Sequence, residues 1–139
     1  MWDGSRKEII DAALQALVNL NASVSALPDN PDEPLSHSRG DVRVFWGGFV
    51  RDGENFEPTK VTKRIRLFVN VRAHGLSSDE SSVYELLDEV ESAMFGYEVH
   101  RAPFIPVDET VVYNFQKAYW VGIQEYEIIL DQFSINSTD

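Results

Sequence analysis

The sequence predicts an α+β fold, a mainly antiparallel sheet with two helices packed on one face. Three observations predict it. Apolar residues recur at helical spacing near each end of the first hundred residues, at 10–18 and 83–94. The run "KRIRLFVNVRAH", residues 63–74, alternates between apolar and polar side chains, the period of a strand with one buried face. The elements follow in the order helix, two strands, helix, then two or three strands, which suits helices layered on one side of a sheet.

The first helix is expected at about 5–21. Ser5 and Glu8 have the spacing of a capping box, and Ile10, Ala13, Leu14, Leu17 and Val18 form its apolar stripe. The proline-rich acidic stretch at about 27–41 reads as a solvated connection, since it has too little apolar surface to bury; a partner-binding loop is the alternative. "VRVFWGGFV", residues 42–50, is a strand interrupted by Gly47 and Gly48, which suggests a bulge or a close backbone approach. "RDGENFEPTK" follows as a turn or an extended hairpin arm. In the strand at 63–74, Ile65, Leu67, Val69, Val71 and Ala73 share the core face. Arg64, Arg66, Phe68, Asn70 and Arg72 share a face that is wet or covered by a partner.

The second helix is expected to be capped by Ser77 or Ser78, with Asp79 and Glu80 in its first turn beside the positive end of the dipole. Val83, Leu86, Leu87, Val90 and Met94 form its buried stripe, and Gly96 falls where a left-handed cap ends it. "YEVHR" starts a strand that Pro103 and Pro106 break. "TVVYNF" and "YWVGIQEYEIIL" form a closing hairpin joined by Gln116, Lys117 and Ala118, with a bulge expected near Gln124 and Glu125. Residues 132–139 are expected to be a flexible tail, and residues 1–139 a single domain.

Composition excludes several chemistries. At 139 residues, roughly two-thirds of the unfolded surface is buried on folding, enough for a real core. A net charge of −11 opposes coating nucleic acid, which needs clustered cations. Without cysteine there are no disulfides, thiolate metal sites or thiol nucleophiles. No apolar run reaches membrane-spanning length and the N-terminus lacks a signal core, so folding in a cytosol is expected. The triplets at Asn21 and Asn136 would matter as glycosylation acceptors only after secretion.

Catalytic and metal signatures are not found. His37, His74 and His100 form no metal-binding pair; His74 with Asp79 and Glu80 reads as a polar strand end beside a helix cap rather than a cation site. Asp88 and Glu89, or Glu125 and Glu127, would serve acid–base chemistry only if their surroundings split their pKa values, and both pairs read as solvated. Neither a phosphate loop nor a nucleophile elbow occurs.

Charge is distributed unevenly. Half of the twelve basic residues fall between 51 and 72, namely Arg51, Lys60, Lys63, Arg64, Arg66 and Arg72. Between 79 and 109 there are nine acids and one base, Arg101. The outer face of the second helix, with Glu85, Asp88 and Glu89, has no partner at i,i+4 within the helix. Simple solubility explains such a surface. So does assembly, in which one copy's basic strand meets another copy's acidic helix and head-to-tail contacts close into a ring. Trp46, Phe56, Phe68 and Trp120 are aromatic residues available to such an interface or to the core.

Over residues 5–131, the chain resembles the Mu-like bacteriophage tail terminator family. The likeness lies in the leading helix, the proline-rich acidic loop, "VRVFWGGFV", "KRIRLFVNVRAHGL", the helix "VYELLDEVESAMFG" and the closing "YWVGIQEYEIIL". Where the family pattern has an arginine- and glycine-rich stretch after the long strand, this chain has "SSDESS". The resemblance implies the tail-terminator fold of long-tailed phages and a structural role without catalysis, cofactor or metal. It implies a hexameric ring of copies of the chain on the last ring of the tail tube, ending tail elongation and offering the surface that joins the neck. The implied partners are the chain itself, the tube protein, the neck or connector protein and, in contractile tails, the sheath protein. DNA would pass through without specific binding, and no membrane is involved. The implied location is the tail–neck junction of the virion, after assembly in the host cytoplasm. Regions carried over as interface are the arm Arg51 to Lys60, the strand Lys63 to Arg72, and the acidic face Glu85, Asp88 and Glu89. The competing readings are a neck or head-completion protein, a small ligand-binding or enzymatic α+β domain, and a regulatory or chaperone-like binding module.

Overall fold

The computed structural model describes residues 2, 4–26, 34–35, 37–51 and 60–133, and of residues 49–51, 60, 61, 132 and 133 the backbone alone. The middle of the hairpin arm with Phe56, most of the acidic loop and the tail from 134 lie outside the described residues.

The elements run α1 (Arg6–Ala16), β1 (Ser23–Ser25), β2 (Asp41–Arg51), β3 (Lys60–His74), α2 (Ser81–Met94), β4 (Glu98–Val99), β5 (Ala102–Pro103), β6 (Ile105–Asn114) and β7 (Tyr119–Phe133). Five strands form one sheet in the order β1-β2-β3-β7-β6, antiparallel except for the β1–β2 pair. Both helices pack on the same face, so the expected α+β layering holds.

The alternation in β3 sets the core. Ile65, Leu67, Val69, Val71 and Ala73 are fully buried and face the helices. Val42 and Val44 of β2 continue this layer, as do Tyr126 and Ile128 of β7. The stripe on α2 seals it, with Val83, Leu86, Leu87, Val90 and Met94 all buried. Ile9, Ala13 and Leu17 close the other side.

Gly47 and Gly48 carry both features expected of them. The β2–β3 register shifts between Trp46 and Gly48, marking a bulge. Gly48 has φ of 95°, and a Cβ on Gly47 would lie 2.8 Å from the Arg66 carbonyl oxygen and 2.8 Å from the Phe68 ring. That opening lets Phe68 stack on Phe45, with ring centroids 5.5 Å apart. Gly96, with φ of 82°, ends α2 as expected.

Four boundaries differ from the sequence reading. Helix α1 keeps the Ser5 cap, whose hydroxyl accepts from the Glu8 amide at 3.3 Å, but ends at Ala16 rather than near 21. Val18, Asn19 and Asn21 are weak helix formers, and the chain turns off to lay Ser23–Ser25 beside Asp41–Arg43. Helix α2 starts at Ser81, and its end is satisfied by Asp79, whose carboxylate accepts from the Ser81 amide at 3.0 Å, not by Ser77 or Ser78. The bulge expected on β7 lies on its neighbour, where β6 shifts register between Pro106 and Asp108. Strand β7 keeps strict alternation because Gln124 is a buried member of its core face. Finally, "YEVHR" opens a separate two-stranded hairpin, β4–β5, turning through His100 and Arg101. Both turn residues have positive φ, 49° and 69°, without being glycine. The closing hairpin turns where expected: Asn114 accepts from the amides of Gln116 and Lys117, and Ala118 takes φ of 57°.

Candidate functional site

The acidic face of α2 is divided between two surroundings. Toward α1, Arg39 reaches across from the acidic loop and answers it. Its guanidinium forks onto Glu89, donating to Oε1 at 3.1 Å and to Oε2, and lies 3.4 Å from Glu85 Oε1. The hydrogen bond from Arg39 holds the Glu89 carboxyl below its ordinary pKa. A partner 46–50 residues away in sequence leaves no periodic signal, so sequence reasoning missed Arg39.

Toward β6 the acids stay unanswered. Asp88 and Glu91 of α2 face Asp108 and Glu109 of β6 across a hollow of about 320 Å³. Among the described residues no cation lies within ion-pair distance of these four. Buried Gln124 forms the floor. Its amide donates to Glu109 at 2.9 Å and to the Leu87 carbonyl at 3.2 Å, and its oxygen accepts from Tyr126 at 2.6 Å. Burial first, and then the charges of Glu91 and Glu109, raise the Tyr126 phenol pKa, so it stays a donor.

The basic residues of β3 do not form one patch, because a strand sends alternate side chains to opposite faces. Arg66 is held between Glu125 at 2.9 Å and Glu127 at 2.7 Å on the neighbouring strand. Arg72 is 1% exposed, pairs with fully buried Asp41 at 3.0 Å, and lies over the Tyr119 ring. Both serve the fold, with Arg43, which also reaches Asp41 at 3.3 Å. Arg64 is exposed, and among the described residues no carboxylate pairs with it. Arg51 and Lys60 sit at the far ends of β2 and β3, described by their backbone alone.

Lys63 points to the helix side, where its ammonium lies 5.5 Å from the Trp2 ring centroid. It opens a recess that the sequence reading did not single out. Trp2, Arg6, Trp46 and Lys63 line a hollow of about 370 Å³, with the Arg6 guanidinium 5.8 Å from the Trp46 centroid. Trp2 also borders a second hollow of about 650 Å³, next to His100, Arg101 and Asp131. His100 Nε2 meets Glu8 Oε1 at 2.6 Å, tying the β4–β5 hairpin to α1. The sequence held one signal for this end: Arg6 stands in the first turn of a helix, where the dipole disfavours cations.

Chemically, the arrangement presents charge of both signs at separate places. Among the described residues no group of three or more histidines and carboxylates converges to hold a metal ion. No described helix is long and apolar enough to cross a membrane. No protein-family model matches the chain, and a search of curated proteins returns no match.

Proposed function

We propose that this chain is a tail terminator of a long-tailed bacteriophage, a ring-forming subunit that caps the tail tube. In this role it ends tail elongation and offers the surface to which the neck of the filled head joins. The order and character of its elements over residues 5–131 support this reading. The observation that carries it is the separation of exposed charge: unanswered carboxylates along α2 and β6, and exposed Arg6, Arg64 and Arg101 elsewhere. A subunit with unlike patches on different elements satisfies one patch per neighbour, and a closed ring satisfies both. Its partners are further copies of itself, the tube protein, the neck protein and, on contractile tails, the sheath protein. An acidic wall suits a conduit that lets DNA pass without gripping it, since phosphates are repelled.

Inactivating the gene in the phage or prophage that carries it, followed by negative-stain electron microscopy of the lysate, tests the proposal. Headless tails of excessive, uncontrolled length are expected. Tails of normal length that fail to join heads would instead assign the chain to the neck, and normal infectious particles would overturn both readings.

A further inference from the structure

The cations Arg6 and Arg101 occupy locally unfavourable positions. Arg6 stands at the positive end of α1. Arg101 follows His100 in a two-residue turn where both residues hold positive φ, a conformation that Asn and Gly adopt far more readily. Such local costs persist when the surrounding structure imposes them, and they gather at functional sites. Here both bring a guanidinium to the rim of the same end of the molecule. Arg6 lines the smaller hollow, Arg101 the larger, and buried Trp2 is the wall between them. Among the described residues two acids face this end, and each is engaged: Glu8 by His100, and Asp131 by the Thr62 hydroxyl at 2.7 Å. Among the described residues no carboxylate pairs with Arg6 or Arg101.

Asp88, Glu91, Asp108 and Glu109 have the opposite problem. Like charges collected round one hollow repel one another, and no described cation relieves them.

We infer that the recess around Trp2, edged by Arg6 and Arg101, is the socket for the acidic β6 edge of a second copy of this chain. Asp108 and Glu109 lead the contact, and Asp88 and Glu91 flank it. The inference rests on the ring-forming reading above and names the surfaces that would meet. Charge complementarity selects the occupant. A two-fold pairing of β6 edges would set carboxylates against carboxylates, whereas a head-to-tail contact joins socket to edge and leaves one of each open for the next subunit. The contact is made by side chains, because the β6 edge is interrupted by Pro106, which has no N–H, and by the register shift beside it.

Two one-sided variants test it. The first, Arg6→Glu with Arg101→Glu, removes the socket; the second, Asp108→Lys with Glu109→Lys, removes the edge. Sedimentation equilibrium at low salt, over a range of concentrations, is expected to show the parent protein associating and each variant remaining monomeric. An equal mixture of the two variants is expected to associate again, since the intact edge of the first meets the intact socket of the second and the reversed surfaces, an acidic socket and a basic edge, are complementary as well. Far-ultraviolet circular dichroism checks folding, and Arg6→Glu is expected to hold or raise the melting temperature because it suits the helix dipole. Should a reversed variant misfold, Arg6→Ala with Arg101→Asn serves as the socket knockout in the same mixture. Association of either variant alone like the parent, or a mixture that stays monomeric, overturns the contact. Binding of a single-stranded oligonucleotide that vanishes in the socket variant would reassign the recess to nucleic acid. None of these results depends on tail length: overlong tails with a failed mixture would keep the terminator and discard the contact, and normal tails with a mixture that associates would do the reverse.

Discussion

The two faces of the sheet are built from the same strands by different means. On the helix side, β3 contributes Ile65, Leu67, Val69, Val71 and Ala73, all buried against α1, α2 and their neighbours. On the opposite side, the same strand contributes Arg66, Phe68, Asn70 and Arg72, and much of this face is also dry. Asp41 is 0% exposed, Arg43 7% and Asn70 4%. Burial of apolar side chains organises the first face and is largely indifferent to which apolar group fills a given volume. The second is organised by charge pairing, in which Asp41 serves both Arg43 and Arg72, and Glu125 and Glu127 hold Arg66. Such a face tolerates little, because removing one partner strands the other away from water. Period-two alternation therefore identifies which side chains share a face without telling how each face is kept dry.

The largest expected effect is on the charged face. Asp41→Ala removes the buried carboxylate shared by Arg43 and Arg72 and is expected to lower unfolding free energy by about 3–5 kcal/mol in denaturant titrations. Asp41→Asn keeps the shape and loses the charge. On the helix face, Leu67→Ala opens a cavity and is expected to lower stability by about 2–5 kcal/mol, whereas Leu67→Met stays within about 1.5 kcal/mol. If Asp41→Asn proves as mild as Leu67→Met, shape rather than charge holds the opposite face, and the contrast collapses.

The smallest effect belongs to the acidic surface of α2. Arg39→Ala is expected to lower stability by about 0.2–1 kcal/mol at neutral pH, because the pair is partly exposed to solvent and screened by it. Its pH dependence has a definite sign. Glu89 is held below its ordinary value of 4.5 in the folded state, so its contribution is complete above that value and fades as pH falls through the lowered one. The gap between parent and Arg39→Ala melting temperatures should thus narrow on acidification. A gap that widened at low pH would place the role of Arg39 elsewhere.

The parts legible in the sequence were those with a long period. The stripe on α2, the alternation in β3, the Gly47–Gly48 bulge and the Gly96 cap each leave a local pattern that the fold preserves. Strand β1 was not legible, since "SVS" is too short to show a period and pairs with residues 18 positions away. The β4–β5 turn was missed because His100 and Arg101 are not the residues that signal positive φ. For the basic residues, the sequence showed which stretch carries most of them but not what they pair with. The pairing of Arg72 with Asp41, of Arg66 with Glu125 and Glu127, and of Arg39 with Glu89 all join residues far apart in the chain, whose proximity only the tertiary fold decides.

The shape of β6 has a consequence for how sheets of different molecules can meet. At the other side of the sheet, β1 caps β2 with only three residues, too few to template a long addition. Strand β6 is ten residues long and sits at the rim, an inviting place for sheets to fuse in a crowded cell. A proline, a slipped register and the adjoining charges of Asp108 and Glu109 spoil it as a template. Addition of a further strand along this rim is therefore disfavoured, and recognition there falls to side chains rather than to the backbone.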